Sequence, residues 1–273
     1  MPYAETQRGR LYFEHFDFGP PWSRRTPVFL HHGVGITTET WNGWLPTLLA
    51  AHPVVRFDMR GHGRSSEAGT DFEPSFAAYA EDVRAVLAAA GYDRCHFVGE
   101  SLGGTVGLYL ASHRPELIAG LVVASTAYRG DDIKGYVDWA PTFAAGGSAE
   151  WSRQMMPYRF DFDRTDPRDL AWFEAEQAKT PENVVLGNFY MLRAADLTPA
   201  LSRITAPLLV LSATVGPFVP ADVAVELQQR VARAEVQYFE GARHAVIYSH
   251  AQACARAAVE FLARRFPEER VRA

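Results

Sequence analysis

The chain has 273 residues, of which 48% are hydrophobic, and a formal net charge of −5. Its length and composition allow one large core with an elaboration. The charge balance, with no run of Lys or Arg before the C-terminal tail, argues against a nucleic-acid partner. The N-terminus MPYAETQRGR lacks an apolar signal region, and the best apolar run, 117–124, is too short to span a bilayer. We expect a cytoplasmic protein with a small-molecule ligand and no membrane partner, and its oligomeric state is left open.

The two cysteines indicate neither a disulfide framework nor a metal site. Cys95 lies in a strand-like run and Cys254 in a helical one. Both are expected to be reduced core thiols.

Short apolar runs recur along the chain, each followed by a turn signal and a helical pattern. This alternation predicts an α/β fold whose central sheet is mostly parallel, with helices on both faces. An earlier run, 9–18, alternates in polarity and predicts a half-exposed edge strand. The six buried strand candidates are PVFLHH (27–32), PVVRFD (53–58), CHFVGE (95–100), AGLVVAS (119–125), PLLVLS (207–212) and EVQYF (235–239).

A crossover helix is predicted between the second and third of these strands. Ser75 occupies the N-cap position, and Gly91 supplies the stop. The apolar residues between them recur at helical spacing.

The alternation of strands and helices stops between residues 128 and 206. The sequence therefore predicts a core from 1–127 and 207–273 and a helical cap from 128–206, placed over the carboxyl ends of the strands. Aromatic side chains of the cap favour an apolar or aromatic substrate, although each of them could equally belong to the core of the cap. They are Trp139, Trp151, Tyr158, Phe160, Trp172 and Phe189.

The strongest local motif is G-x-S-x-G at residues 99–103, placed between a buried strand and a helical pattern. A sharp turn there exposes the hydroxyl of Ser101, and only glycine at 99 and 103 lets the strand and helix approach closely enough. Ser101 is the candidate nucleophile. Glu100 is close in sequence, but its side chain is expected to point away from the site.

A serine hydroxyl needs a base within hydrogen-bond reach. His244 follows the last predicted strand, at a loop that a parallel sheet brings to the edge where Ser101 lies. A metal site built from the other turn histidines, with Asp58, is conceivable on paper, but no ligand spacing recurs and we expect no metal. Those histidines are His31, His32 and His62.

The strand that ends in FLHHGVG leads to a glycine pair. The backbone amides of Val34 and Leu102 are candidates for an oxyanion-binding site. The same glycines do not form a dinucleotide motif, because Thr38 occupies the third glycine position of G-x-G-x-x-G. We expect no cofactor.

These motifs, in this order, resemble the α/β-hydrolase family. They are HHGVG, Trp41, RFDMRGHGRS, GESLGG, PLLVLS with FVP after it, and GARH. The resemblance implies that Ser101 is the nucleophile and His244 the base, that Val34 and Leu102 are the oxyanion donors, and that Asp58 and Arg60 are scaffold. The end of the cap, 186–207, is similar to members of the 3-oxoadipate enol-lactonase type.

One part of the family pattern is absent. The usual acid falls on Gly216 of LSATVGPFVP. That acid fixes the histidine tautomer and stabilises the imidazolium, and its loss in serine proteases costs about 10⁴ in rate. A carboxylate from the segment after the preceding strand could replace it, where Ser125 is followed by Asp131 and Asp132. A hydroxyl such as Ser212 or Thr214 could orient the ring instead, or an activated substrate could make the acid dispensable.

The leading hypothesis is a cofactor-free hydrolase of small esters or lactones that forms an acyl-enzyme on Ser101. A second hypothesis is a lyase, a carbon–carbon hydrolase or a cofactor-independent oxygenase, in which His244 acts as a base without an acyl-enzyme. A third is a non-catalytic ligand-binding protein with a decayed site.

Overall fold

The computed structural model describes residues 3–20, 22, 25–134, 139–216 and 218–269. Its eight strands are β1 (Tyr3–Thr6), β2 (Gly9–Phe16), β3 (Val28–His31), β4 (Val54–Phe57), β5 (Cys95–Glu100), β6 (Ile118–Ala124), β7 (Leu208–Ala213) and β8 (Ala234–Phe239). They form one sheet in the order β1-β2-β4-β3-β5-β6-β7-β8. β2 pairs antiparallel with β1 and β4, and the other neighbouring strands are parallel.

Helices cover both faces of the sheet. They are α1 (Leu45–Leu49), α2 (Phe76–Ala89), α3 (Leu102–His113), α4 (Ala140–Arg159), α5 (Pro167–Gln177), α6 (Glu182–Arg193), α7 (Asp222–Arg230), α8 (Val246–Ser249) and α9 (Ala251–Arg265). Short 3₁₀ helices span Thr38–Trp44, Pro115–Leu117, Gly130–Asp132, Thr198–Arg203 and Pro267–Glu269. No helix in the described ranges has the length and apolar character needed to cross a membrane.

Alternate residues of the central strands feed two separate hydrophobic cores. Phe29 and Phe97 pack in the cluster that holds the buried side chains of α2 and α3. Leu30 and Val98, their chain neighbours, pack in the cluster on the other face, with Phe261 of α9. A strand that is buried on both faces is a continuous run of apolar residues, so these strands could be predicted from the sequence.

The predicted sheet and crossover helix are confirmed, with one correction at the edge. All seven predicted strands are present, and Ser75 Oγ accepts a hydrogen bond from the amide of Ala78 at 3.2 Å to cap α2. β2 is not the edge strand, however, because the unpredicted β1 pairs along its outer side. The four residues of β1 are too short a run for period-2 alternation to be recognised.

The chain between β6 and β7 forms α4, α5 and α6, and no strand among its described residues. Its two ends meet, since the amide of Leu197 donates to the carbonyl of Tyr128 at 2.9 Å and that of Gly130 to Ala195 at 2.8 Å. Beyond these two hydrogen bonds, Leu201 and Ile204 pack in the hydrophobic cluster that holds the buried side chains of α2 and α3.

Candidate active site

Ser101 sits on a strained turn between β5 and α3. Its φ is 53° and its ψ is −118°, a conformation that L-residues rarely adopt. A Cβ on Gly99 would lie 2.4 Å from the carbonyl oxygen of Gly103, and one on Gly103 would lie 2.3 Å from that of His31. The close approach of strand and helix therefore requires both glycines, as the motif predicts.

His244 lies in the loop between β8 and α8 and is only 6% exposed. Two contacts hold its backbone: Ser125 Oγ donates to the His244 carbonyl at 2.8 Å, and the His244 amide donates to the Tyr158 carbonyl at 3.3 Å. Ser101 and His244 line the same cavity. Within the described ranges no hydrogen bond joins the Ser101 hydroxyl to the imidazole, a separation common in enzymes without bound substrate.

Glu100 enters the site, contrary to the prediction that its side chain points away. Its Oε1 lies 3.7 Å from Nε2 of His244, and the carboxyl group is buried. Room for it comes from Gly33, where a Cβ would lie 2.1 Å from Oε2 of Glu100. The missing side chain at residue 33 thus lets the carboxyl group turn toward the histidine.

Burial sets the protonation of this pair. It raises the pKa of Glu100 to about 7, although Arg159 and the Gly33 amide lower it. Burial, with a smaller contribution from Arg159, lowers the pKa of His244 to about 3. Neither carboxyl oxygen of Glu100 has a well-aligned hydrogen-bond partner among the described residues. At neutral pH the imidazole is therefore an unprotonated base. The Glu100 carboxyl group beside it is only partly ionised, because its pKa is close to that pH.

Gly216 leaves no acid in the usual family position. A Cβ there would lie 2.6 Å from the carbonyl oxygen of Val219, so the local backbone packs against a residue without a side chain. In the part of the chain that is described, Glu100 is the only carboxylate within 4.0 Å of a His244 ring nitrogen.

The other proposed replacements are engaged elsewhere. Asp132 caps a 3₁₀ helix and pairs with Arg129 at 2.7 Å, and Asp131 is exposed. Thr214 Oγ1 accepts from the Gly241 amide at 2.9 Å. Ser125 contacts the main chain of His244 rather than its ring. The structure brings none of these side chains to the imidazole.

The two candidate oxyanion donors stay predictions. Val34 lines the cavity beside Ser101. Leu102 is the first residue of α3, so its amide has no acceptor within the helix.

The cavity wall is mostly apolar and comes largely from the segment between β6 and β7. Of the predicted aromatic residues, Trp139, Trp151 and Phe189 line it. Tyr158 instead packs on Phe218, which does line it, and Trp172 stacks on Tyr248 at 5.4 Å. Phe160 belongs to that second aromatic cluster.

Arg159 and Phe218 also line the cavity and were missed from the sequence. Arg159 ends a helix whose periodicity is interrupted at Gly146 and Gly147, where the backbone is not helical. No sequence pattern therefore showed which face of this helix meets Ser101.

The histidines of the glycine-containing turns make structural contacts. His32 Nε2 accepts from the Met59 amide at 2.9 Å, and His62 Nε2 accepts from the Gly35 amide at 3.1 Å. Asp58 accepts from the Thr38 amide at 2.8 Å.

Further scaffold contacts hold the same turns. His31 Nδ1 contacts the His32 carbonyl at 3.0 Å, and Arg60 pairs with buried Asp82 at 3.0 Å. These contacts support the structural interpretation of Asp58 and Arg60.

A trio with metal-ligating side chains lies at the opposite edge of the sheet. Ligand atoms of His52, His96 and Glu269 fall within 4.8 Å of one another. His96 is near the amino end of β5 and already contacts Glu269 at 2.8 Å. The trio lies near the amino end of β5, whereas Ser101 follows the carboxyl end of the same strand.

The fold, the elbow serine and the histidine after the last strand define a member of the α/β-hydrolase family. The model of the alpha/beta hydrolase fold matches residues 26–251, and the chain belongs to that family. It is an enzyme of the hydrolase class, as the motifs predicted.

Among its relatives is RutD of Variovorax paradoxus, which is named as a carbamate hydrolase. The two are 31% identical over 257 residues, which cover 87% of this chain and 91% of RutD. Among solved structures, the enol-lactonase from Burkholderia xenovorans LB400 superposes with a TM-score of 0.85 at 25% identity, covering 96% of this chain and 99% of that one. A hydrolase from Pseudomonas aeruginosa PA01 gives 0.84 at 28% identity, covering 95% and 97%.

Proposed function

We propose that the chain is a cofactor-free serine hydrolase of small ester or lactone substrates. The observation that carries the proposal is the shared cavity of Ser101, on its strained turn, and His244, on the loop after β8. The similar enol-lactonase and the relative named as a carbamate hydrolase support the class of reaction.

In this mechanism the Ser101 hydroxyl attacks the substrate carbonyl while His244 takes its proton. The amides of Val34 and Leu102 bind the oxyanion of the tetrahedral intermediate. The imidazolium returns the proton to the leaving oxygen, and an acyl-Ser101 ester remains. Water, deprotonated by His244, then releases the acid and regenerates the serine.

Glu100 takes over part of the role of the missing acid. Loss of that acid corresponds to roughly 5.5 kcal/mol of barrier. A carboxylate about 4 Å from an imidazolium contributes on the order of 4 kcal/mol at an effective dielectric of 20. Glu100 lies 3.7 Å from Nε2, so its ionised form stabilises the charge that His244 acquires. It does so from the Nε2 side and leaves the tautomer unfixed.

The segment 128–206 acts as the cap of this site. Its aromatic residues Trp139, Trp151 and Phe189 close the cavity with apolar surface. Excluding water there strengthens each charge interaction around the imidazole.

The proposal is tested by pre-steady-state hydrolysis of 4-nitrophenyl butyrate. The wild-type enzyme should release a burst of nitrophenol equal to the active-site concentration. Ser101→Ala and His244→Ala should lose the burst, while His250→Ala, at a partly exposed histidine between α8 and α9, should keep it.

The same variants separate the rival functions. Turnover of a substrate that persists in Ser101→Ala and disappears in His244→Ala would support base catalysis without an acyl-enzyme, as in a lyase or oxygenase. A bound ligand recovered chemically unchanged after long incubation would indicate a binding protein.

A further inference from the structure

A buried arginine from the segment between β6 and β7 lines the cavity. Arg159 is the last residue of α4 and is 6% exposed. Its carbonyl accepts from the Ala245 amide at 3.2 Å, which anchors it beside the His244 loop. The residue contributes to the cavity wall together with Ser101 and His244.

The guanidinium of Arg159 is poorly satisfied. Nη2 donates to the Val34 carbonyl at a long 3.4 Å, and Nε is buried with no hydrogen-bond partner among the residues that the structure describes. The Phe173 ring lies 5.6 Å from Cζ. A guanidinium carries five N–H donors, so these contacts leave much of its capacity unused.

The charge of Arg159 is also unbalanced. Arg159 forms no ion pair with a carboxylate in the described ranges. Glu100 acts on it at longer range, but the pKa of Glu100 is about 7, so that group carries only part of a charge at neutral pH. An uncompensated buried cation costs several kcal/mol, and a bound anion would remove that cost.

We propose that Arg159 binds a carboxylate of the substrate, so that the enzyme prefers small esters or lactones whose acyl part carries a second, anionic group. This inference rests on the proposed hydrolase function and names its substrate class. A planar guanidinium recognises a carboxylate through two parallel hydrogen bonds.

The position of Arg159 limits the spacing between the two groups of the substrate. Its Nη2 contacts the carbonyl of Val34, whose amide is the candidate oxyanion donor. The anionic group therefore lies only a few bonds from the reacting carbonyl. The cavity is small as well, with a volume of about 60 Å³.

The test compares two aryl esters that differ in charge but little in shape. Mono-4-nitrophenyl glutarate carries the carboxylate, and 4-nitrophenyl 5-methylhexanoate replaces it with an isopropyl group. The wild type should prefer the anionic ester in kcat/KM, after subtraction of spontaneous hydrolysis. Arg159→Met should reduce that preference about 30-fold or more, and Arg159→Lys should reduce it less.

Arg153→Met is the matched control, since Arg153 lies on the same helix with 65% of its side chain exposed and pairs with Glu150. It should leave the preference unchanged. If Arg159 only compensates the charge of Glu100, Arg159→Met will slow both esters equally and leave the preference unchanged. An unchanged preference of this kind would overturn the proposal.

Binding of glutarate separates the anion site from the acyl-enzyme. In calorimetry, Ser101→Ala should bind glutarate, and the double variant Ser101→Ala/Arg159→Met should bind it at least about 30-fold more weakly. Equal binding by the two variants, with equal melting temperatures to show that both fold, would refute the carboxylate site even if the acyl-enzyme is trapped. Binding by Ser101→Ala without any acyl-enzyme in the wild type would instead refute the proposed function alone.

Discussion

Nε2 of His244 lies 3.7 Å from Oε1 of Glu100, a residue adjacent to the candidate nucleophile in sequence. In the usual arrangement the acid faces the other ring nitrogen, from a loop that here contains Gly216. The carboxyl group nearest to His244 therefore comes from a different place in the chain and approaches the other side of the imidazole.

Replacing Glu100 by Gln should lower kcat/KM about 100-fold or more and remove a rise of activity near pH 7. The reason is that Glu100, with its pKa raised to about 7, supports the imidazolium only when ionised, above that pH. The measurement is kcat/KM between pH 5 and 9, with Glu116→Gln, an exposed carboxylate, as the control. A variant with the wild-type profile would show that the carboxyl group takes no part. The largest loss of kcat/KM that we expect corresponds to an interaction of about 4 kcal/mol between fully ionised Glu100 and the imidazolium.

Replacing Gly33 by Ala should reproduce much of this loss. The new methyl group would lie 2.1 Å from Oε2 of Glu100 and 3.0 Å from Cβ of Ser101, so the carboxyl group must move. Because both changes act on one contact, their effects should not add. Steady-state kinetics of the single and double variants check this, and fully additive losses would contradict it.

Restoring the family acid by Gly216→Asp should not raise activity. The Cβ would lie 2.6 Å from the Val219 carbonyl, so the loop must shift and the variant should melt at a lower temperature. Thermal unfolding and kcat measured together test this expectation. A tenfold gain in kcat would mean that the loop still accommodates the acid.

Ser125→Ala should lower both stability and kcat. The change removes the donor at 2.8 Å from the His244 carbonyl, a buried hydrogen bond that contributes about 1 kcal/mol. The loop that carries His244 then loses one of the hydrogen bonds that hold its backbone. Ser112→Ala, which removes a bond of the same length to Leu108 within α3, should lower stability alone. Equal kcat in the two variants would argue against a positioning role.

The fold should lose stability as the pH falls below about 6.5. Burial lowers the pKa of His31, His32 and His52 to about 4 and that of His62 and His244 to about 3. The unfolded chain therefore binds more protons between those values and 6.5, and each histidine costs about 1.4 kcal/mol per pH unit there. Urea denaturation at pH 7.5 and 5 measures it. Equal midpoints would contradict the burial of neutral imidazoles.

The sheet was predictable because its strands are apolar on both faces, and the elbow because a sharp turn needs glycine at 99 and 103. The position of the Glu100 side chain was not predictable, because it depends on the free space next to Gly33. These two residues are in contact but lie far apart in the sequence. Arg159 was missed for a similar reason: the sequence of α4 does not show which face meets the sheet. Spacing along one chain carries little information about such contacts.

The most direct test of the central claim is the intact mass of the enzyme, quenched with acid during turnover of an activated aryl ester. The account predicts one added acyl group, mapped to the peptide that contains Ser101 and absent from Ser101→Ala. Turnover without any added mass, and at the wild-type rate in Ser101→Ala, would contradict it.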